Sequence, residues 1–281
     1  MTPQTRAELA LLSITVIWGS TFAITKVLLE GIDPFTYIAL RFGLASALFA
    51  LFFWRSVKAA GFKSLSKGLI LGLLLFFGFS LQTVGLQYTT ASKSAFVTGL
   101  MVVMTPILQV IIERRPPKIG NIIGIGLVTV GLYFLTSPEG SEFNIGDLLT
   151  LGCAFSFALY IVYLDVFSKN QSAEGLTLAQ FGLCAVSGSM IALAVEPLQL
   201  HLTTGLVLGI LYLTIFATMV AIYVQTKYQK DTTPTRAAVI FAVEPVVAAI
   251  IAYFALNEVI GALGVLGGGL IVAGVLVSEL T

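Results

Sequence analysis

A carboxylate near the middle of a long apolar run is the residue in this sequence best placed to do chemistry. The run extends from Arg236 to Leu256, with Glu244 near its centre and Pro245 directly after it. About 20 apolar residues can cross a bilayer as a helix, and a charge at that depth costs at least ~2.5–3.5 kcal/mol. Proline lacks an N–H, so it leaves one helix carbonyl unpaired. In lipid such groups persist beside protein or a water-filled cavity. We therefore expect Glu244 to face an internal cavity.

Two chemical roles are open to a carboxylate in such a cavity. Glu244 can bind a substrate ammonium group, or it can carry a proton in a coupled transport cycle. The competing interpretation is a buried structural carboxylate paired with a lysine or a tyrosine. The sequence does not decide whether a proton is involved.

Aromatic and amide side chains at mid-span positions form the second group that could contact a substrate. Aromatic faces supply apolar area and can hold an ammonium group, whereas amides and hydroxyls fix orientation. Ordinary packing is the competing interpretation. The residues predicted to bind substrate together with Glu244 are Trp18, Phe79, Gln82, Tyr160, Tyr163 and Tyr223.

Two cations lie within the outer parts of the first two predicted spans. Lys26 is about one turn from the end of its span, and Arg41 is about 9 Å from the start of its span at 1.5 Å per residue. Anion recognition or an outer gate is one interpretation. The other is that both side chains reach the interface or form ion pairs with Glu30 and Asp33.

The composition indicates that these residues are positioned by membrane-spanning helices. The chain has 281 residues, of which 57% are hydrophobic and only 10% charged, whereas soluble domains carry about 25% charged residues. The first apolar run is too long for a cleavable signal. We predict an all-α polytopic membrane protein with ten transmembrane helices, at residues 8–29, 35–54, 68–87, 94–112, 119–136, 147–167, 177–195, 205–226, 236–256 and 260–279.

The distribution of lysine and arginine predicts the orientation of the chain. If the N-terminus is cytoplasmic, the inner segments hold twelve of these residues and the outer connections hold only Lys93. Cytoplasmic loops of membrane proteins carry such an excess. Both termini are therefore expected in the cytoplasm, and the pattern fits the inner membrane of a bacterium.

The sequence repeats itself in two halves, 1–136 and 137–281. A single alignment of the halves brings Trp18 onto Phe157 and Pro106 onto Pro245, and we expect a helix kink at each proline. Each half holds five predicted spans. An odd number gives the halves opposite topologies, and inverted repeats around a midplane site are typical of alternating-access carriers.

These residues resemble a known family. Residues 18–22 (Trp-Gly-Ser-Thr-Phe), Lys26, Pro34 and Arg41 are similar to the start of an EamA-type repeat of the drug/metabolite transporter superfamily. Glu244-Pro245 and Asn257-Glu258 resemble the close of the second repeat. The resemblance implies a ten-helix carrier with a central cavity, often exporting small metabolites from bacteria. The first half departs from the family pattern, because Thr105 precedes Pro106 where the pattern has glutamate.

The expected function is a secondary transporter that moves a small organic metabolite outward, with amino acids as the first choice. Nucleosides or amphiphilic cationic drugs fit nearly as well, and a channel or a scaffold is the less favoured alternative. The sequence contains no P-loop and no HExxH motif, and no histidine lies within a predicted span. These absences argue against an ATPase and against an intramembrane enzyme. We expect no cofactor, no metal and no nucleic-acid partner. The partners are the bilayer and a small molecule, and homo-oligomerisation stays open.

Overall fold

The structure is a computed structural model that describes residues 1–135, 144–198, 200–256 and 261–280. Asn257-Glu258 and the predicted boundary between the halves lie outside the described residues. The first half holds α1 (Pro3–Leu28), α2 (Pro34–Ala59), α3 (Phe62–Tyr88), α4 (Ala91–Gly99), α5 (Met101–Glu113) and α6 (Ile119–Leu135). The second half holds α7 (Ile145–Ser168), α8 (Ala173–Val195), α9 (Thr204–Tyr212), a π-helical segment (Leu213–Val220), α10 (Ala221–Tyr228), a 3-10 turn (Gln229–Asp231), α11 (Pro234–Phe241), α12 (Glu244–Leu256) and α13 (Ala262–Leu280).

The helices account for the ten predicted spans. Eight helical stretches among the described residues are long and apolar enough to cross a bilayer, and α6 and α13 are shorter apolar helices. The pairs α4–α5 and α11–α12 each make one span, as do α9 and α10 with the π-helical segment between them. The prediction of an all-α polytopic membrane protein is confirmed. We call the end of the bundle where α1 begins and α13 ends the terminal face, and the opposite end the distal face.

Two of the spans are broken near their middle. The α4–α5 span breaks at Leu100, and the α11–α12 span breaks at Ala242 and Val243. Both breaks are followed by a helix of 13 residues. The second of these helices begins at Glu244, so the carboxylate predicted to face a cavity lies at an interruption of the backbone helix.

The prolines occupy different positions relative to the two breaks. Pro245 is the second residue of α12, where the first N–H groups of a helix have no partner and a proline costs little. Pro106 lies inside α5, six residues after the break at Leu100. The residue that opens α5, in the place of Glu244, is Met101.

The halves align in two registers, an early one and a late one. The early register places Trp18 on Phe157 and holds for the first spans of each half. In the late register α4 corresponds to α11, with starts at 91 and 234, α5 to α12, with starts at 101 and 244, and α6 to α13, with starts at 119 and 262. Before α11 begins, the second half therefore contains about one helical turn more of sequence than the corresponding part of the first half.

The late register also relates the segments that precede α4 and α11. They read Thr-Thr-Ala-Ser-Lys (89–93) and Thr-Thr-Pro-Thr-Arg (232–236). The second threonine of each, Thr90 and Thr233, caps the helix that follows. The fourth span of each half thus begins with the same local structure.

The most extensive helix contacts join one half to the other. Helix α2 packs on α8, α3 packs along α7 and α8, and α6 packs on α13. The last contact depends on glycine, since a Cβ atom on Gly131 would lie 2.6 Å from the carbonyl oxygen of Gly267. Small residues let helix backbones approach this closely. The two halves are therefore interlocked along their length.

Gly267→Ala is expected to destabilise the protein. The added methyl group would lie 2.3 Å from the backbone nitrogen of Leu135 and 2.4 Å from the carbonyl oxygen of Gly131, and overpacking of this kind typically costs ~1–3 kcal/mol. Thermal unfolding of the detergent-purified protein measures the effect. Gly269→Ala is the matched control, because nothing lies within 4 Å of a Cβ atom there. Equal melting temperatures for the two variants would contradict the close packing of α6 on α13.

Candidate functional site

A small cavity of about 60 Å³ lies between the two halves. Each half contributes seven lining residues, and α6 and α13 contribute none among the described residues. The lining residues of the first half are Trp18, Thr21, Arg41, Leu75, Phe79, Gln82 and Met101. Those of the second half are Phe157, Tyr160, Ile161, Ile222, Gln225, Phe241 and Glu244.

Most of the lining positions are related by the repeat. The early register pairs two positions in the first span of each half, and the late register pairs three positions further along. These pairs are Trp18 with Phe157, Thr21 with Tyr160, Phe79 with Ile222, Gln82 with Gln225, and Met101 with Glu244. The cavity therefore lies on the pseudo-two-fold axis that relates the halves, and Glu244 and Arg41 are the charged groups in its lining.

The carboxyl group of Glu244 borders the cavity at the first position of α12. Glu244 is 9% exposed. Among the described residues, no side chain or backbone group donates a hydrogen bond to its carboxyl oxygens. The N-terminus of a helix favours a negative charge, which offsets part of the cost of burial. The carboxylate is therefore available to a ligand cation or a proton, and the alternative of a pairing with lysine or tyrosine is not found in the described residues.

The guanidinium of Arg41 borders the same cavity and is 2% exposed. It donates to the hydroxyl groups of Tyr37, at 2.7 Å, and Thr218. Its carbon atom lies 4.8 Å from the centre of the Phe79 ring. These partners are neutral, and no ion pair joins Arg41 to a carboxylate within the described residues. The ion pair with Glu30 or Asp33, one of the two interpretations of Arg41, is therefore not formed, and the guanidinium is held by neutral groups.

The π-helical segment, which the sequence did not foresee, holds the side chains of two other spans. The indole nitrogen of Trp18 donates to the carbonyl oxygen of Ala217 at 2.9 Å, and Arg41 donates to Thr218. Wide π turns recur at functional sites because they leave backbone carbonyls free for other donors. Residues 213–220 contain no glycine or proline, so nothing in the sequence signals the irregularity.

Three further predicted residues lie in the lining. Phe79 packs edge-on against Phe157, with ring centres 5.5 Å apart. The amide nitrogen of Gln82 donates to Thr98 at 3.2 Å. The Tyr160 hydroxyl donates to Gln180 at 2.7 Å. Since Gln180 aligns with Arg41 in the early register, the two halves use the same position to anchor the cavity wall.

Two tyrosines predicted to bind substrate lie outside the cavity. Tyr223 follows Ile222, which faces the cavity, and one residue turns a helix by about 100°. Its hydroxyl therefore points elsewhere and donates to Glu174 at 2.8 Å. Tyr163 packs against Phe167, with ring centres 5.7 Å apart. Neither tyrosine therefore belongs to the group of lining residues, because mid-span position alone does not fix which way a side chain points.

Lys26 also lies outside the cavity, near the distal face. Its ammonium group donates to the carbonyl oxygens of Leu86 and Thr89, at 2.6 and 2.8 Å. It thereby fastens the end of α1 to the end of α3. Within the described residues, no group of three or more His, Cys, Asp or Glu side chains could hold a metal ion.

Sequence reasoning missed two sets of three residues that join the halves at opposite faces. In the terminal-face triad, Glu8 accepts from Arg236 at 2.8 Å and from Thr232 at 3.3 Å. In the distal-face triad, Asp147 accepts from Lys93 at 2.7 Å and from Thr89 at 2.9 Å. The repeated segments 89–93 and 232–236 were the signal that could have found them.

Comparison with known proteins decides the family. The model of the EamA-like transporter family matches residues 5–137 and 144–280. This chain belongs to the EamA-like transporter family. An uncharacterized transporter of Archaeoglobus fulgidus is 33% identical over 98% of this chain and 86% of its own length. The uncharacterized transporter YyaM of Bacillus subtilis is 28% identical over 96% of this chain and 92% of its own.

A solved structure has the fold of this EamA-like transporter. Its similarity has a TM-score of 0.81 at 19% identity, and it covers 98% of this chain and 97% of the other. The resemblance drawn from residues 18–22 and from Glu244-Pro245 is thereby confirmed at the level of the family. The protein is an integral membrane transporter.

Trp18→Phe is expected to lower the melting temperature of the purified protein. The change removes the donor to the Ala217 carbonyl, and a hydrogen bond of this kind contributes about 0.5–1.5 kcal/mol. Trp54→Phe is the control, because Trp54 is 55% exposed and its ring is expected to face lipid. The contact between Trp18 and the π-helical segment would be refuted by equal losses in the two variants.

Proposed function

We propose that this EamA-like transporter is a secondary carrier that moves a small zwitterionic metabolite, with amino acids as the first choice, outward across the cytoplasmic membrane. The observation that carries the proposal is the composition of the cavity. Among the described residues, the lining holds one carboxylate, Glu244, and one guanidinium, Arg41, and is otherwise neutral. An amino acid presents the complementary pair of charges, an ammonium and a carboxylate group.

The neutral residues of the lining suit the rest of such a substrate. The rings of Trp18 and Phe241 meet edge-on, with centres 5.3 Å apart, and offer apolar surface beside Glu244. Aromatic faces attract an ammonium group as well as apolar side chains. The amides of Gln82 and Gln225 add donors and acceptors that can fix the orientation of a ligand.

Transport by alternating access is part of the proposal, and the size and the symmetry of the cavity support it. A volume of about 60 Å³ has room for a few water molecules, so we propose that the walls separate before a metabolite enters. The walls belong to two halves with five spans each and opposite topology. Rocking one half against the other opens a midplane site to each side in turn.

The terminal face is proposed to be cytoplasmic. Twelve lysine and arginine residues fall in its segments, whereas Lys93 is the one that falls in the distal connections, and positive charge is retained on the cytoplasmic side. Coupling to protons belongs to the same proposal, with Glu244 carrying a proton when no substrate ammonium is bound. Self-association is left to measurement.

A second candidate substrate is an amphiphilic organic cation. The donors of Arg41 already bond to Tyr37 and Thr218, which favours a structural role for the guanidinium. Glu244 with the aromatic side chains would then recognise a cation alone. The two candidates differ in whether Arg41 contacts the substrate.

Counterflow in proteoliposomes tests the function and separates the candidates. The vesicles are loaded with an amino-acid mixture, and uptake of labelled threonine, methionine and phenylalanine is followed with and without a pH gradient. We expect saturable uptake, reduced at least ~10-fold in Glu244→Gln and in Arg41→Gln, because a desolvated charge pair contributes more than about 1.4 kcal/mol.

The controls are Tyr223→Phe and Tyr163→Phe, which lie outside the cavity and should transport at wild-type rates. Organic-cation uptake that needs Glu244 but not Arg41 would favour the second candidate. Wild-type uptake in Glu244→Gln would refute the assignment of Glu244 to the substrate-binding site.

Topology is tested by labelling a cysteine placed after Thr281 in a background with Cys153 and Cys184 replaced by alanine. An impermeant maleimide should label it in inverted vesicles and leave it unlabelled in intact cells, because the terminal face is proposed to be cytoplasmic. Labelling from outside intact cells would reverse the orientation.

A further inference from the structure

The two triads correspond to each other under the repeat, position by position. Glu8 aligns with Asp147 in the early register, near the start of the first helix of each half. In the late register Thr89 aligns with Thr232, and Lys93 aligns with Arg236. The bonds cross between the halves in both cases, because each carboxylate is held by the segment that opens the fourth span of the other half.

Each triad lies at the start of one of the two broken spans that border the central cavity, and these two starts are at opposite faces of the bundle. Arg236 lies near the start of α11, and Glu244 follows on the same span eight residues later. At 1.5 Å per residue this is about 12 Å along the helix axis. Lys93 stands eight residues before Met101, so the distal-face triad has the same separation from the cavity. Each triad is therefore placed to bind the halves together on one side of the cavity.

Both triads are closed in the structure, and the cavity between them is small. All six side chains make the contacts that hold the halves together. The acceptors are largely buried, at 0% exposure for the Asp147 side chain and 14% for that of Glu8. Charge-assisted bonds in such surroundings are stronger than ion pairs in open water.

The terminal-face triad also borders a polar cavity of about 290 Å³. Thr232 and Arg236 line it, together with Glu113, Asp165 and Lys169. A space of this size holds several water molecules. Water can therefore reach Arg236 from the terminal face, and separation of the triad would extend this space toward the central cavity.

We propose that the terminal-face and distal-face triads are reciprocal latches, each of which opens while the other stays closed during one transport cycle. The proposal rests on the proposed carrier function and identifies the residues that hold each face shut. Opening the terminal-face triad exposes the central cavity to that face, and opening the distal-face triad exposes it to the other. The closed pair corresponds to the occluded state between them.

Accessibility of a cavity cysteine tests the latches without any substrate. Met101→Cys is introduced in the background that lacks Cys153 and Cys184, and an impermeant maleimide is applied from each side of the membrane, with sidedness taken from the tag after Thr281. Arg236→Gln should raise labelling from the terminal face several-fold and lower it from the distal face. Lys93→Gln should produce the opposite change.

Two further variants serve as controls. Arg55→Gln removes an exposed terminal-face cation that contacts Trp54 of its own helix and lines neither cavity, so it should leave both labelling rates unchanged. Arg236→Lys keeps the charge and should keep the wild-type pattern. If Arg236→Gln fails to fold, Glu8→Arg combined with Arg236→Glu restores an ion pair of reversed sign and should restore the closed pattern.

Labelling that shifts in the same direction in Arg236→Gln and Lys93→Gln, or that matches Arg55→Gln in both, would overturn the proposal. These results are independent of the proposed function, which counterflow decides. Opposed shifts in a protein that transports no amino acid would support the latches and exclude amino acids as the substrate.

Discussion

A carboxylate inside a membrane needs surroundings that offset its desolvation, and the arrangement of the EamA-like transporter depends on this constraint. Glu244 meets it at the first position of a half-span helix, beside a cavity and on the axis between the two halves. A helix start in mid-span requires a broken span, and a break leaves polar backbone groups that must be enclosed by protein. The enclosing walls are the interlocked helices of the two halves.

The repeat explains why the cavity is where it is, and its divergence explains what the cavity can recognise. Positions related by the repeat meet at the axis, so a pair of like residues would give the cavity a two-fold symmetric lining. The pairs have diverged instead, with Met101 opposite Glu244 and Trp18 opposite Phe157. An asymmetric ligand with unlike ends fits such a site better than a symmetric one. Under the proposed function, specificity would reside in the places where the halves differ.

Much of the fold could be read from the sequence, because long apolar runs and the cost of a buried charge are strong constraints. Ten spans and the position of Glu244 beside a cavity followed from these. The fold class is confirmed. Trp18, Phe79, Gln82 and Tyr160 do lie in the lining, while their contacts with a substrate stay a prediction.

The failures have separate physical causes. Tyr223 lies outside the cavity because side-chain direction depends on helical phase, and the π-helical segment shifts that phase without any signal in its residues. The triads were missed because the halves pass from the early to the late register before α4, which hides the match between the segments 89–93 and 232–236. Pro106 was matched to Pro245 for the same reason.

The π-helical segment has a consequence for the rotation of the eighth span. A π turn accommodates one residue more than an α turn, and one residue corresponds to about 100° of rotation. If Leu213–Val220 reverted to α geometry, α10 would turn about its axis and carry Ile222 and Gln225 out of the cavity wall. Trp18 and Arg41 bond to this segment from two other helices. The angular setting of one span is thus held by its neighbours, and loss of these two bonds would leave the cavity wall formed by α10 free to turn.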